Sequence, residues 1–161
     1  MANYTKPWEP VRQSDVLELV GADETVAQNQ LSEAVSFAPA SIGSGSGNLT
    51  SFVFISSGGD VLTPAGQLLI FSADPGHSTG DDGSGISAAE WENLIGVVDV
   101  AAADWSSEDN AAYLAIDDQI IPFHAVSNLY LVWRLTSATS INSDAADDEL
   151  LKVNIHYTRD S

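Results

Sequence analysis

Leu129-Tyr130-Leu131-Val132-Trp133-Arg134-Leu135 decides the fold class. Leu129, Leu131, Trp133 and Leu135 fall on one side at a period of two, and Tyr130, Val132 and Arg134 on the other. Both sides are largely apolar, which suits an inner strand. A second stretch, Leu150 to Tyr157, sets Leu151, Val153, Ile155 and Tyr157 against Lys152, Asn154 and His156, the pattern of a half-exposed antiparallel strand. Shorter runs precede them: Val16 to Val20, Val35 to Phe37, Leu49 to Ile55, Leu68 to Phe71, Val97 to Val100, Leu114 to Ile116 and Ile120 to Phe123. These are β-prone, too short for amphipathic helices, and separated by Gly, Ser and Asp. With no alternation of strand and helix, the chain reads as all-β, an antiparallel β-sandwich or jelly roll.

Between the strands, Ser41-Ile42-Gly43-Ser44-Gly45-Ser46-Gly47 reads as a flexible connector and Ala73 to Gly85 as a long loop. Asp144 to Glu149 reads as an acidic surface turn. Ser87-Ala88-Ala89-Glu90 is a capping box and predicts the one short helix. Trp91, Leu94 and Ile95 are expected on its inner face, with Gly96 stopping it. A single domain is expected over residues 15–161, preceded by an extended N-terminal arm over 1–14.

Charge is distributed very unevenly. The chain has a formal charge of −18, yet residues 13 to 133 contain no lysine or arginine and 17 Asp and Glu. The acids group in turns such as 81–82, 108–109, 117–118 and 147–149, between apolar strands. Such a body repels nucleic acid and anionic membrane surfaces, so neither is expected as a partner. A hydrophobic share of 44% with only 17% charged residues separates it from disordered acidic chains. There is no cysteine, and no apolar run approaches the ~20 residues of a membrane span. The first residues, MANYTKPWEPVRQ, lack the apolar segment of a secretory signal, so an intracellular origin is expected.

The arm is the exception to the acidic pattern. Lys6 and Arg12 bracket Trp8, and Pro7 and Pro10 stiffen the segment in an extended form. Lys6, Pro7, Trp8, Pro10 and Arg12 are therefore the candidate contacts to an acidic partner, and extended arms add readily to a partner's sheet. Tyr130 and Val132 are the candidate oligomer contacts, because strand faces supply the apolar surface that an acidic body needs to self-assemble.

Catalytic patterns are sparse. No serine stands in a G-x-S-x-G elbow, and His77, His124 and His156 show no zinc-ligand spacing. Each reads as an ordinary surface or hydrogen-bonded histidine, with His156 facing solvent. Gly83-Ser84-Gly85-Ile86-Ser87-Ala88 matches a dinucleotide pattern, but Asp81 and Asp82 beside it oppose a pyrophosphate. Asp74, Asp81 and Asp82 share a loop and are the only candidates for a hard cation such as calcium; they lack the EF-hand order, so no metal and no cofactor is expected. Trp91, Trp105 and Trp133 are the tryptophans that would line a sugar groove, but Trp91 and Trp133 fall on core-facing positions.

The order of the segments resembles a family of small structural proteins from tailed phages of marine and freshwater bacteria. It is carried by Leu49 to Ile55, Gln67 to Phe71 with its acidic loop and short helix, Ile95 to Val100, and Asp104-Trp105. Ile121 to Phe123, Leu129 to Leu135 and Leu150 to Tyr157 complete it, so that it spans roughly residues 30 to 157. The resemblance implies a non-enzymatic capsid decoration (cement) protein, jelly-roll-like and often trimeric, on the outside of the virion head. The implied partners are the major capsid protein and further copies of the chain, and there are no catalytic residues to carry over. The alternative is a carbohydrate-binding or adhesive module of the same fold class, with or without calcium. A third reading is a hydrolase or a salt-adapted domain.

Overall fold

The computed structural model describes residues 11–21, 24–39, 45–58, 63–109, 111–142 and 150–160. The strands are β1 (Val11–Val20), β2 (Thr25–Val26), β3 (Val35–Phe37), β4 (Gly45–Ser57), β5 (Gly66–Phe71) and β6 (Leu94–Val100). They continue as β7 (Ser106–Glu108), β8 (Ala111–Ile116), β9 (Ile121–Val126), β10 (Leu129–Leu135), β11 (Ile141–Asn142) and β12 (Leu150–Arg159). One short helix, α1 (Ala88–Trp91), precedes β6.

The larger sheet runs β1-β12-β4-β8-β7, with β9 paired to the first half of β4. The smaller sheet runs β3-β10-β5-β6, and β2 pairs with β11. All of these strand pairs are antiparallel. The two sheets face each other across one apolar core, and the protein is an all-β sandwich. Leu17, Leu151, Val153, Ile155, Phe52, Phe54 and Leu114 line the core from the larger sheet; Phe37, Leu68, Ile70, Val98, Leu131 and Trp133 line it from the smaller. Alternation explains the choice: in β12 every second side chain, from Leu151 to Tyr157, is buried.

β10 lies between β3 and β5, as its two apolar faces require. Its second face does not meet another sheet. Val132, with Leu69 and Phe71 of β5, packs under Leu31 and Ile86 in a separate apolar cluster. The chain segments that cover it are residues 27–34 and the loop after β5.

Three local expectations are corrected. Of the connector read over residues 41–47, residues 41–44 lie outside the described residues, and Gly45 to Gly47 are β-structure; at Gly47 a Cβ would stand 1.9 Å from the Thr158 carbonyl oxygen. Glycine there permits close approach of two strands; it does not mark a flexible linker. Gly96 does not stop a helix but lies inside β6, where a Cβ would meet Ile121 at 2.7 Å. The helix ends sooner, at Trp91, whose side chain is exposed and not inward. The capping box itself forms: the Glu90 N–H donates to Ser87 Oγ at 3.3 Å, and the Ser87 N–H donates to the Glu90 carboxylate. The acidic turn read at 144–149 lies outside the described residues.

Candidate interaction surfaces

β1 is an edge strand, and its pairing with β12 begins at Val11 opposite Arg159. Residues 11–14 of the expected arm therefore belong to the sheet, and Arg12 occupies the register position opposite Thr158. Lys6, Pro7, Trp8 and Pro10 lie outside the described residues.

The loop between β5 and α1 carries the acids singled out for a cation. It is a lid on the second face of β10 and β5. The Leu31 N–H donates to the Asp81 carbonyl at 2.8 Å, the Gly80 N–H to the Leu31 carbonyl at 2.9 Å, and the Gly83 N–H to the Asn29 carbonyl at 2.7 Å. Each carboxylate is used within its own turn. Asp74 accepts from the Gly76 N–H at 2.8 Å, Asp81 from the Ser78 N–H at 2.8 Å, and Asp82 from the Ser84 N–H at 2.9 Å. The Ser84 backbone N–H, then its hydroxyl, hold the Asp82 carboxyl below its ordinary pKa. Three separate turns do not make one cage. Among the described residues no group of three or more His, Cys, Asp or Glu is placed to hold a metal ion.

His77 belongs to this lid and is not a surface residue. Its side chain is 8% exposed, with Nδ1 3.9 Å from Asp81 and Nε2 3.8 Å from Glu90, and its ring meets Phe71 edge-on. No local sequence pattern marks this, since Glu90 reaches His77 only after the chain folds back. His124 is exposed and shares a hydrogen bond of 3.1 Å with Ser46. Ser46 Oγ also accepts from the Ala125 N–H at 2.9 Å, so the hydroxyl serves to tie β9 to β4. His156 faces solvent, as its place in the alternation of β12 predicts.

Val132 is fully buried and Tyr130 half-buried, both against the cluster under the lid. The strand face read as an oligomer contact is thus covered by the chain's own loop. Trp105 and Trp133 are 8% and 0% exposed, so neither presents a ring to a sugar. Trp105 instead donates from Nε1 to the Pro64 carbonyl at 3.1 Å. An open depression of about 610 Å³ lies between Glu18, Glu24, Glu33 and Val35. Two of its carboxylates are engaged: Glu24 accepts from the Gly21 N–H at 2.7 Å and the Thr79 hydroxyl at 2.8 Å, and Glu18 lies 3.5 Å from Lys152 Nζ.

The capping box makes the lid's helix sensitive to acid. The Ser87 side chain, then its N–H, hold the Glu90 carboxyl below its ordinary value of 4.5, with a smaller contribution from His77. A lowered folded-state pKa stabilises the fold above the unfolded value, and that stability is lost as pH falls through the folded value. Glu90→Gln is therefore expected to lower the melting temperature at pH 7 by a few degrees at most. The difference from the parent should close as pH falls below 4.5. Melting curves from pH 3 to pH 7 check this, and a pH-independent difference would assign the effect to packing.

No family model matches the chain. No curated protein matches it either. Among solved structures it is similar to that of Cocksfoot mottle virus, with 9% identity, a TM-score of 0.34, and coverage of 98% of this chain and 86% of that one. It is similar also to turnip yellow mosaic virus, at 10% identity and TM-score 0.30, covering 93% of this chain and 80% of that one. A full particle of Israeli acute paralysis virus aligns at 12% identity and TM-score 0.29, over 94% of this chain and 71% of that one.

Proposed function

We propose that this chain is a non-enzymatic structural protein of a virion, a decoration or cement protein on the outer surface of a tailed-phage head. The carrying observation is the partition of charge: a formal −18, with residues 13 to 133 free of lysine and arginine. A body of that sign is repelled by packaged nucleic acid and is suited to a solvent-facing coat. The resemblance of its ordered segments to the tailed-phage family supports the same reading. So does the use of its loop acids as turn acceptors and of its serine–histidine contact as a strand tie, which leaves those groups structural work. The proposed partner is the major capsid protein, with the decoration protein set on symmetry axes as a trimer.

The contact is assigned to the arm. Lys6, Pro7, Trp8 and Pro10 precede in sequence Val11, the first residue of an edge strand of the larger sheet. Arg12 lies at the start of that strand. Removal of residues 1–10 spares every residue of β1 and is expected to leave the melting temperature near that of the full chain. Occupancy on undecorated shells should fall at least tenfold, read by co-sedimentation. Full occupancy by the truncated chain would remove the arm from the contact. Failure of the full-length chain to bind shells at any concentration would remove the decoration role itself.

A further inference from the structure

The outer face of the larger sheet carries exposed apolar side chains and a single ion pair along two of its rows. Register places two rows on it. One runs Val16, Asn154, Val53 and Ala115; the next runs Glu18, Lys152, Ile55, Tyr113 and Ser106. Val16, Ile55 and Tyr113 are 59%, 40% and 54% exposed, and they are three of the six exposed large hydrophobic residues in the described chain. Within the two rows the single carboxylate is Glu18, and it lies 3.5 Å from Lys152. The rows are therefore neutral on a chain of formal charge −18. The next carboxylate position, Glu108, lies opposite Ala111 on the edge strand, at the corner of the face. Arg12 lies at the other end, opposite Thr158.

Charge selects the occupant. A basic partner would be drawn to the acidic loops and gain nothing from a neutral apolar face. On these two rows a partner as acidic as this chain meets no net charge. A second copy has that charge, and each copy brings one Lys152 with its one Glu18, so the paired rows remain neutral. The size is adequate. Four strands spaced ~4.8 Å apart and a β12 rising ~3.3 Å per residue give a face of roughly 20 by 30 Å. That is on the order of 600 Å² in projection, close to the ~800 Å² per partner of a standard interface.

We infer that the outer face of the six-stranded sheet, centred on Val16, Ile55, Tyr113 and the Glu18–Lys152 pair, is the surface through which copies of this chain associate. This holds independently of the shell: loss of the arm contact leaves it standing, and its own failure leaves shell binding untouched.

Light scattering on the full chain tests it. The protein is expected to run as a multiple of the 17.0 kDa chain, with association tightening as salt screens the acidic bodies. The double substitution Ile55→Glu with Tyr113→Glu should weaken association at least 100-fold. Trp91→Glu, at an exposed position on α1 away from the face, should leave it unchanged. Circular dichroism establishes that each variant is folded. The chain has no cysteine, so Tyr113→Cys introduces a unique thiol. A flexible bis-maleimide should join Tyr113→Cys copies and leave Trp91→Cys copies single, which decides the matter even if the double variant does not fold. A parent that stays at 17.0 kDa at high protein and salt concentration overturns the inference. So does a folded double variant that associates like the parent, or a cross-link that forms from Trp91→Cys and not from Tyr113→Cys.

Discussion

Trp133→Ala is expected to cost about 3–5 kcal/mol, the range for removing a large buried aromatic side chain. Trp133 is 0% exposed and stands at the centre of the sandwich, its ring 5.8 Å from Phe54. Phe54 in turn contacts Phe52 and Trp105, so the loss opens a void shared by both sheets. The surroundings cannot collapse into it easily, because the ring lies over the backbone of Gly66, where an added Cβ would be 2.3 Å from Trp133 Cζ2. For a chain of this size the cost corresponds to a melting temperature lower by roughly 6–20 °C. Trp133→Phe is expected to cost much less. It keeps a ring in contact with Phe54 and removes an indole N–H that is buried without an acceptor among the described residues. Urea titrations of both variants check the pair of values, and equal costs would contradict the role given to the ring.

Gly47→Ala is expected to be nearly as damaging, by about 3 kcal/mol, at the upper end of ordinary overpacking. The added Cβ would stand 1.9 Å from the Thr158 carbonyl oxygen and 3.0 Å from the Arg159 Cα. Both obstacles are backbone, so no side chain can rotate away. Gly47 pairs with Arg159 of β12 on one side and Phe123 of β9 on the other. Relief requires β4 to part from the end of β12, taking with it the hydrogen bond from the Asp160 N–H to the Ser46 carbonyl. Hydrogen exchange should therefore quicken at residues 157–160 and 121–126, while β5 and β6 keep their protection. Faster exchange throughout both sheets would instead indicate global destabilisation.

Much of the fold was legible because its signals are local. The alternation in β10 and β12 set which side chains turn inward, and the two apolar faces of β10 marked it as an inner strand. Ser87 and Glu90 announced the helix because a capping box is complete within four residues. Glycine was harder to read. Gly47 and Gly96 look like breaks in sequence, yet both lie in strands, held there by neighbours far away along the chain. Trp91 looked inward because helical periodicity was extended past a helix that ends at that residue.

The candidate sites were less legible than the fold. Asp74, Asp81 and Asp82 are close in sequence, but closeness does not make oxygens converge, and each satisfies an amide in its own turn. His77 gave no sign of burial, because Phe71 beneath it and Glu90 beside it are brought in by the folding of the loop.

The sequence by itself determined the all-β class, the inward side of the principal strands, and a charge over residues 13–133 so one-sided that a close partner of that stretch must be basic or must meet a neutral surface. Only the tertiary structure decided which apolar faces remain open. Val132 and Val16 both lie in strands with apolar outer positions; the first is sealed by the loop after β5, and the second is left bare. Periodicity records the direction of a side chain relative to its own strand. Whether that direction ends in water depends on a segment elsewhere in the chain, and no local pattern carries that information.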